Sequence, residues 1–372
     1  MKYISVNEPV LKGNEKKYLN ECIDTGWISS DGPFVKIFEQ KFADYNNRKY
    51  GITVANGSVA IDVALTALGI KAGDEVILPA FTIISCINPI IRVGAKPVLV
   101  DSEIDTWNMN VNDIESKITS NTKAILMVHI YGHPVDVDPI LELCKKYNLY
   151  LIEDAAEVIG QEYKGRMCGS FGDISTFSFY PNKHITTGEG GMVLTNSDSL
   201  AEKCRSLRNL CFKTERRFLH EEIGWNFRMT NLQAAIGLAQ LEQIEQFLIK
   251  KRQIGEWYNE FLSDIHIFQK PLPKTLFSNN IYWVYGIVLD SKLGKKAIDI
   301  MSALHSKNVG TRPFFYALNK QPVFNKMGLF INEKYKIAEY LTDYGFYLPS
   351  GLNLEKHDVE VVCEILKEEI FK

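Results

Sequence analysis

The run Phe177-Ser178-Phe179-Tyr180-Pro181-Asn182-Lys183-His184-Ile185-Thr186-Thr187-Gly188-Glu189-Gly190-Gly191 decides how the rest of the chain is read. Its apolar start closes a predicted strand, Asp173–Phe179, and a second predicted strand, Gly191–Thr195, leaves its end. Between them stand a loop carrying Lys183 and the Gly-rich turn Thr187–Gly191. A dinucleotide fingerprint needs a strand before and a helix after its glycines, and this turn has no helix after it. Its glycines predict close backbone packing near the lysine instead.

Upstream, short β-rich runs alternate with helix-like segments. Strands are predicted at Tyr50–Ala55, Glu75–Pro79, Pro97–Asp101, Lys123–His129 and Leu149–Asp154. Helices fall between them at Ser58–Leu68, Thr82–Arg92, Val111–Ile118 and Pro139–Tyr147. That alternation predicts an α/β fold with a mostly parallel central sheet covered by helices on both faces. Downstream, a long helical region runs from Met229 to about Leu262, with a break expected near Phe247–Ile249. One strand, Tyr282–Leu289, and helices near Lys295–Ser306, Glu333–Leu341 and His357–Ile370 complete the chain. Residues 1–249 read as a large domain with a helical N-terminal arm, and 250–372 as a smaller α+β C-terminal domain. The arm is expected against that smaller domain or a partner subunit.

With 372 residues there is enough chain for two such units. A formal charge of −3 gives no general basic field for nucleic acid. The compact cluster Lys213, Arg216 and Arg217 is suited to a small anion or to a solvated loop. Seven scattered cysteines form no C-x-x-C pair, which predicts reduced thiols in a cytoplasmic protein. Met1 to Pro9 has no apolar core of signal-peptide length, and no apolar stretch is long enough to span a bilayer. His129 and His133 flank Tyr131-Gly132 without a third ligand nearby, so no metal site is expected.

Ligands of open α/β sheets sit outside the carboxyl ends of the strands. Asp154 closes the apolar run from Leu149, and Ser178 lies near the end of its own strand. Asn56-Gly57-Ser58 stands where a strand meets the next helix, so a hydroxyl and backbone N–H groups converge on an anion site there. Each feature alone has an ordinary reading: a helix cap, a turn carboxylate, a solvated lysine. Together they suit pyridoxal 5'-phosphate. A lysine can hold its aldehyde, a carboxylate its protonated pyridine nitrogen, and a helix start its phosphate. The freed Lys183 amine would then shuttle a proton as base and acid.

Four further stretches join the Lys183 run in carrying a resemblance: Gly26-Trp27-Ile28-Ser29-Ser30, Asn56-Gly57-Ser58, Glu153-Asp154-Ala155-Ala156-Glu157 and Gly224-Trp225-Asn226-Phe227-Arg228-Met229-Thr230-Asn231. Over essentially its whole length the chain resembles the DegT/DnrJ/EryC1/StrS family of sugar aminotransferases, which have the type I fold of pyridoxal-phosphate-dependent transferases. The resemblance implies that Lys183 is the Schiff-base lysine and Asp154 the pyridine-nitrogen partner. It implies phosphate contacts at Gly57, Ser58 and Ser178, and a polar side chain beside the ring at Glu157. Asn226 matches a residue that reaches the cofactor phosphate of the neighbouring subunit, which implies a homodimer with shared active sites; Arg228 nearby reads as structural. Trp27 and Ser29 match a segment lining the substrate pocket, and Arg312 and Tyr316 belong to the motif Arg312-Pro313-Phe314-Phe315-Tyr316. Lys213 and Arg217 are substrate-contact candidates through their charge. His184 adjoins the lysine at a position that varies in the family.

The implied reaction moves an amino group from L-glutamate or glutamine to a keto group, with pyridoxamine 5'-phosphate as the cofactor's amino form. The expected acceptor is C4 of a nucleotide-linked 4-keto-6-deoxy sugar destined for surface glycan. Three departures stand out, one bearing on stacking at the cofactor ring and two on the acceptor. Ile83 is aliphatic where relatives often carry an aromatic residue or methionine. The Arg312–Tyr316 motif continues as Ala317-Leu318-Asn319-Lys320 rather than with a Pro-x-His element, and the loop Leu210–Glu222 differs from the related pattern. The Ala317–Lys320 stretch and the basic cluster keep a smaller phosphorylated ketone as the alternative acceptor. A sugar dehydratase is a third reading, although such relatives can carry histidine where Lys183 stands. A regulatory protein without catalysis is a fourth, and the intact Lys183, Asp154 and Ser178 speak against it.

Overall fold

The computed structural model describes residues 2–213 and 216–372. Among these residues a seven-stranded sheet runs through the first half of the chain. Its strands are β1 (Tyr50–Val54), β2 (Glu75–Pro79), β3 (Lys96–Val100), β4 (Thr122–Val128), β5 (Tyr150–Asp154), β8 (Ile174–Ser178) and β9 (Gly191–Thr195), with the ribbon β6 (Glu162–Tyr163) and β7 (Arg166–Met167) between β5 and β8. Their order is β1-β9-β8-β5-β4-β2-β3. Every pair from β8 to β3 is parallel, and β9 alone runs against the others.

The strands are buried on both faces because helices cover both. Period-2 geometry sends neighbours in one strand to opposite cores. Ile152 and Leu126 pack with Val54 and Leu78 on one side; Leu151, Ile125 and Met127 pack with Phe177 and Leu194 on the other. The same alternation sends Glu153 and Asp154 to opposite faces of β5.

Beyond the helix Ile244–Phe261 a second sheet forms from β10 (Phe268–Gln269), β11 (Tyr285–Leu289), β12 (Arg312–Pro313) and β13 (Gly345–Leu348). Its order is β10-β11-β13-β12 and its pairs are antiparallel. Helices Ala297–Ser306 and Lys356–Phe371 close a separate core over it, centred on Ile287, Leu304 and Leu366.

Several expected boundaries move. The long helical region breaks at Glu242 and Gln243, not near Phe247–Ile249, and Ile244–Phe261 then runs continuously through residues 249 and 250. Thr82–Arg92 is two short pieces, Ile84–Cys86 and Asn88–Arg92, because Pro89 has no N–H to continue the first. The strand expected from Tyr282 starts at Tyr285, since Tyr282 adopts φ 49°. The sequence reading had no counterpart for Asp198–Arg208, a helix capped by Ser197, or for the short strands β10, β12 and β13. The helical arm, Glu15–Thr25 and Pro33–Tyr45, packs on Asn231–Leu241, where Asn231 Oδ1 accepts the Phe34 N–H at 2.8 Å. The segment before the arm reaches the C-terminal elements, with Ile4 beside Val309 and the Val6 carbonyl accepting the Ser350 N–H at 2.9 Å.

Candidate active site

A cavity of about 1010 Å³ opens at the carboxyl edge of the large sheet. Gly57, Ser58, Asp154, Glu157, Ser178 and Lys183 line it from strand ends and the loops that follow, as open α/β geometry demands. Trp283, Arg312, Phe315 and Tyr347 close it from the C-terminal side.

One end is built to meet an anion. Asn56 is extended, and its Oδ1 accepts the Val59 N–H at 3.1 Å, capping the helix Gly57–Ala67. The cap aims the helix start at the cavity, where its partial positive charge and free N–H groups face outward. Ser58 Oγ donates to Ser85 Oγ at 2.8 Å, which sets a pair of hydroxyls beside that start. Glycine is required at position 57 because a Cβ there would stand 2.7 Å from the Ser178 Cβ. The Gly-rich turn has the packing role expected of it: a Cβ on Gly191 would meet the Asn56 carbonyl at 2.6 Å.

The other end holds a buried carboxylate. Asp154 Oδ1 accepts the Ala156 N–H at 3.1 Å, and Oδ2 accepts the Cys86 thiol at 3.3 Å. Thr82 Oγ1 lies 3.3 Å from the same sulfur. Burial pushes the Asp154 carboxyl above its usual range, against the Ala156 N–H and the Lys183 charge, which lower it. A cationic partner at this carboxylate would be strongly favoured.

Lys183 lies between the two ends. Its Nζ stands 3.8 Å from Glu157 Oε1 and 3.9 Å from the centroid of the Trp283 ring. Burial lowers the lysine below the usual amine range, while Glu157 and Asp154 oppose that. Burial also raises Glu157 well above the usual carboxylate range, against Lys183 and a hydrogen bond from the Tyr131 N–H at 2.9 Å. Tyr131 reaches that position through φ 53°, and its hydroxyl accepts the Phe315 N–H at 3.1 Å. The Glu157 carboxylate is thereby tied to the segment that carries Arg312.

Glu153, on the opposite face of β5, supports this edge from behind. It accepts from the Phe171 N–H at 2.8 Å, the Gly172 N–H at 3.1 Å and the Ser175 hydroxyl at 2.9 Å, and it pairs with His129 Nε2 at 3.1 Å. His129 Nδ1 accepts the Val135 N–H at 3.1 Å, so the ring carries its proton on Nε2 and donates it to Glu153. His133 is spent on the Leu272 carbonyl at 2.6 Å. His184 is buried away from the cavity, and both its ring nitrogens lack a hydrogen-bond partner.

The remaining sequence-predicted residues do not line the cavity of their own chain. Asn226 stands between Trp225 and Phe227, which do, but its Oδ1 accepts from Arg228 Nε at 2.9 Å. Trp27 and Ser29 are exposed and hold Asn231 through their carbonyls, at 2.7 and 2.8 Å. Lys213 pairs with Glu221 at 2.5 Å, Arg217 lies over the Phe212 ring, and Tyr316 is half-exposed beside the cavity-lining Phe315. Sequence reasoning missed Trp283, Tyr131, Cys86 and Ser85. Ser85 and Cys86 follow the end of β2 and Tyr131 follows the end of β4, where the strand-end rule points; Trp283 carried no signal.

A phosphorylated pyridine aldehyde has three handles, and the cavity has a matching group for each. The helix start with its hydroxyls suits the phosphate, Asp154 the ring nitrogen, and Lys183 the aldehyde. The missing Cβ at Gly57 lets the helix start close on Ser178, which brings its N–H groups and the Ser178 hydroxyl to one spot, the cradle such a phosphate needs. Among the described residues no group of three or more His, Cys, Asp or Glu side chains converges to hold a metal ion, and no helix is long and apolar enough to cross a membrane.

Residues 9–367 match the DegT/DnrJ/EryC1/StrS aminotransferase family. The chain is 46% identical over 368 residues to a GDP-perosamine synthase of Escherichia coli O157:H7, covering 99% of each chain. It is 41% identical over 366 residues to a GDP-perosamine synthase of Vibrio cholerae, covering 98% of each. Among solved structures it is similar to Helicobacter pylori PseC, an aminotransferase involved in the biosynthesis of pseudoaminic acid, with TM-score 0.94, 25% identity and 100% of both chains covered. The Lys183 cavity thus belongs to a pyridoxal-phosphate-dependent aminotransferase, a member of the DegT/DnrJ/EryC1/StrS aminotransferase family.

Proposed function

We propose that the enzyme transfers an amino group from L-glutamate or glutamine to C4 of a GDP-linked 4-keto-6-deoxy sugar, for surface glycan assembly. The full-length identity of 46% to an enzyme named for GDP-perosamine carries this reading. The cavity agrees with it: about 1010 Å³ is the upper end of small-molecule sites, roomy for a cofactor and a nucleotide sugar and oversized for a small keto-phosphate.

In this reading Gly57, Ser58 and Ser178 hold the phosphate, and Asp154 keeps a proton on the pyridine nitrogen. Pyridoxal phosphate, when bound, supplies an electron sink that makes the hydrogen on the amino-bearing carbon labile. Lys183 Nζ takes up that proton in its amine form and returns it as the ammonium. Glu157, beside the amine, holds a proton or a charge as Lys183 changes state. Arg312 at the cavity wall meets the anionic part of the acceptor, and Phe315 and Trp283 exclude water from the reacting edge. The working unit is a homodimer. Asn226, Trp27, Ser29, Lys213, Arg217 and Tyr316 lie outside their own cavity and are taken to serve the partner's site.

The test starts from protein brought to the pyridoxamine phosphate form with L-glutamate. Return of the aldehyde form is then followed with GDP-, UDP- and dTDP-linked keto sugars and with small keto-phosphates. Response to the GDP sugar is expected. Response to keto-phosphates alone would overturn the assignment and leave the smaller ketone as acceptor.

A further inference from the structure

Lys183 has a neighbour that neither sequence pattern nor fold predicts. Its Nζ stands 3.9 Å from the centroid of the Trp283 ring, as near as it stands to the Glu157 carboxylate at 3.8 Å. An ammonium over an indole face is attracted by the ring quadrupole, most strongly where both are desolvated. Trp283 is almost wholly buried.

The indole is fixed at both ends. Its Nε1–H donates to the Asn182 carbonyl at 2.7 Å, the peptide immediately before Lys183, and Asn7 Nδ2 donates to the same oxygen at 3.0 Å. The Trp283 carbonyl accepts from Lys251 Nζ at 2.8 Å, and that amine also donates to the Ser350 carbonyl at 2.5 Å. Lys251 is buried with two carbonyls and, among the described residues, no carboxylate within bonding distance. A lysine so placed serves the backbone that it holds. The positive φ of Tyr282, 49°, turns the chain so that the next residue faces the cavity.

We propose that Trp283 is a positioning residue for Lys183: its indole face seats the ammonium whenever the amine is free, and its N–H fixes the backbone from which the lysine extends. The inference rests on the reading of Lys183 as the cofactor-linked lysine. The other groups facing the amine are the Glu157 and Asp154 carboxylates and the Cys86 thiol; His184, next in sequence, is held neutral by burial. Favouring the ammonium, the indole opposes the desolvation that lowers Lys183.

The experiment uses full-length protein freed of cofactor and follows capture of pyridoxal phosphate against pH, since only the neutral amine attacks the aldehyde. In Trp283→Leu the midpoint is expected to fall by roughly 0.5–1.5 pH, with kcat down roughly tenfold and KM nearly unchanged. Trp283→Phe keeps a face and loses the N–H, so its midpoint stays nearer the wild type while kcat still falls. Replacing all five tryptophans by a fluorinated analogue weakens the ring quadrupole at nearly constant shape, and it serves if the leucine variant does not fold. A downward midpoint in the fluorinated protein supports the seat; midpoints unchanged in both overturn it. Borohydride fixation and peptide mapping separate the two claims. A pyridoxyl group on another lysine sinks the reading of Lys183, whereas a group on Lys183 with unmoved midpoints sinks only the role of Trp283.

Discussion

Glu157 Oε1 lies 3.8 Å from Lys183 Nζ, with the glutamate buried and the lysine side chain 11% exposed at the cavity wall. Two opposite shifts meet at this contact: burial raises the acid and lowers the base. Each partner offsets part of the other's penalty, so the pair exchanges a proton more readily than either group would in water.

Glu157→Gln keeps an acceptor for the Tyr131 N–H and removes the titration. A raised folded value means that the acid form is favoured in the native protein. Stability is therefore present at low pH and is lost as pH rises from the ordinary carboxylate range through the raised value. The variant cannot ionise, so cofactor-free Glu157→Gln should lose less melting temperature than wild type between pH 5 and pH 8. Turnover should fall by roughly tenfold or more, as for loss of a group assisting proton transfer. Identical pH dependence of melting in the two proteins would refute this account.

Lys183→Ala removes the amine altogether. The visible absorbance of lysine-bound cofactor should vanish, and turnover with L-glutamate should fall by roughly 10²–10⁴-fold or more. Far-ultraviolet circular dichroism should be unchanged, because the loop around Lys183 is held by Asn182 and Thr187 through their backbones. Substantial residual turnover would move the chemistry to another lysine.

The strand ends were legible because they follow from simple patterning. Asp154 and Ser178 close strands whose neighbours alternate between two apolar cores, and Asn56 caps a helix with a recognisable start. Lys183 needed the chain-long resemblance, since nothing in local spacing separates it from a solvated loop lysine. Trp283 and the Tyr131–Glu157 link were not legible at all. They depend on left-handed backbone at Tyr131 and Tyr282, residues that carry no turn signature, and Trp283 comes from a segment 101 residues beyond the Asn182 carbonyl it holds. Strands of two to four residues, such as β10, β12 and β13, are too short for a periodicity to register.

Gly57→Ala tests the phosphate end without altering a charge. The added Cβ would sit 2.7 Å from the Ser178 Cβ, so the helix start and β8 must separate. Overpacking of this kind costs about 1–3 kcal/mol. Pyridoxal phosphate affinity should weaken roughly tenfold, the equivalent of about 1.4 kcal/mol, and the melting temperature of cofactor-free protein should drop as well. Equilibrium dialysis showing unchanged affinity would mean that the phosphate is held elsewhere.

Glu153→Gln probes the support behind the site rather than the site itself. Burial alone would raise the Glu153 carboxyl, but His129 and the Gly169 and Gly172 N–H groups outweigh it and hold the group at about 2. The folded value is depressed from an ordinary 4.5, so the stabilisation is fully present above about pH 4.5 and is lost as pH falls through about 2. Glutamine offers one acceptor oxygen where the carboxylate has two, and it turns an NH₂ toward donors already aimed inward. The variant should lose about 3–5 kcal/mol at pH 7, and its deficit relative to wild type should shrink as pH falls below about 4. Because Glu153 and Asp154 are adjacent on β5 and face opposite ways, a slackened β5 should also weaken cofactor binding with no cavity-lining residue changed. Denaturant unfolding of both proteins across pH 3–7 checks this, and a deficit independent of pH would show that packing, not the ionised carboxylate, is what the glutamine disturbs.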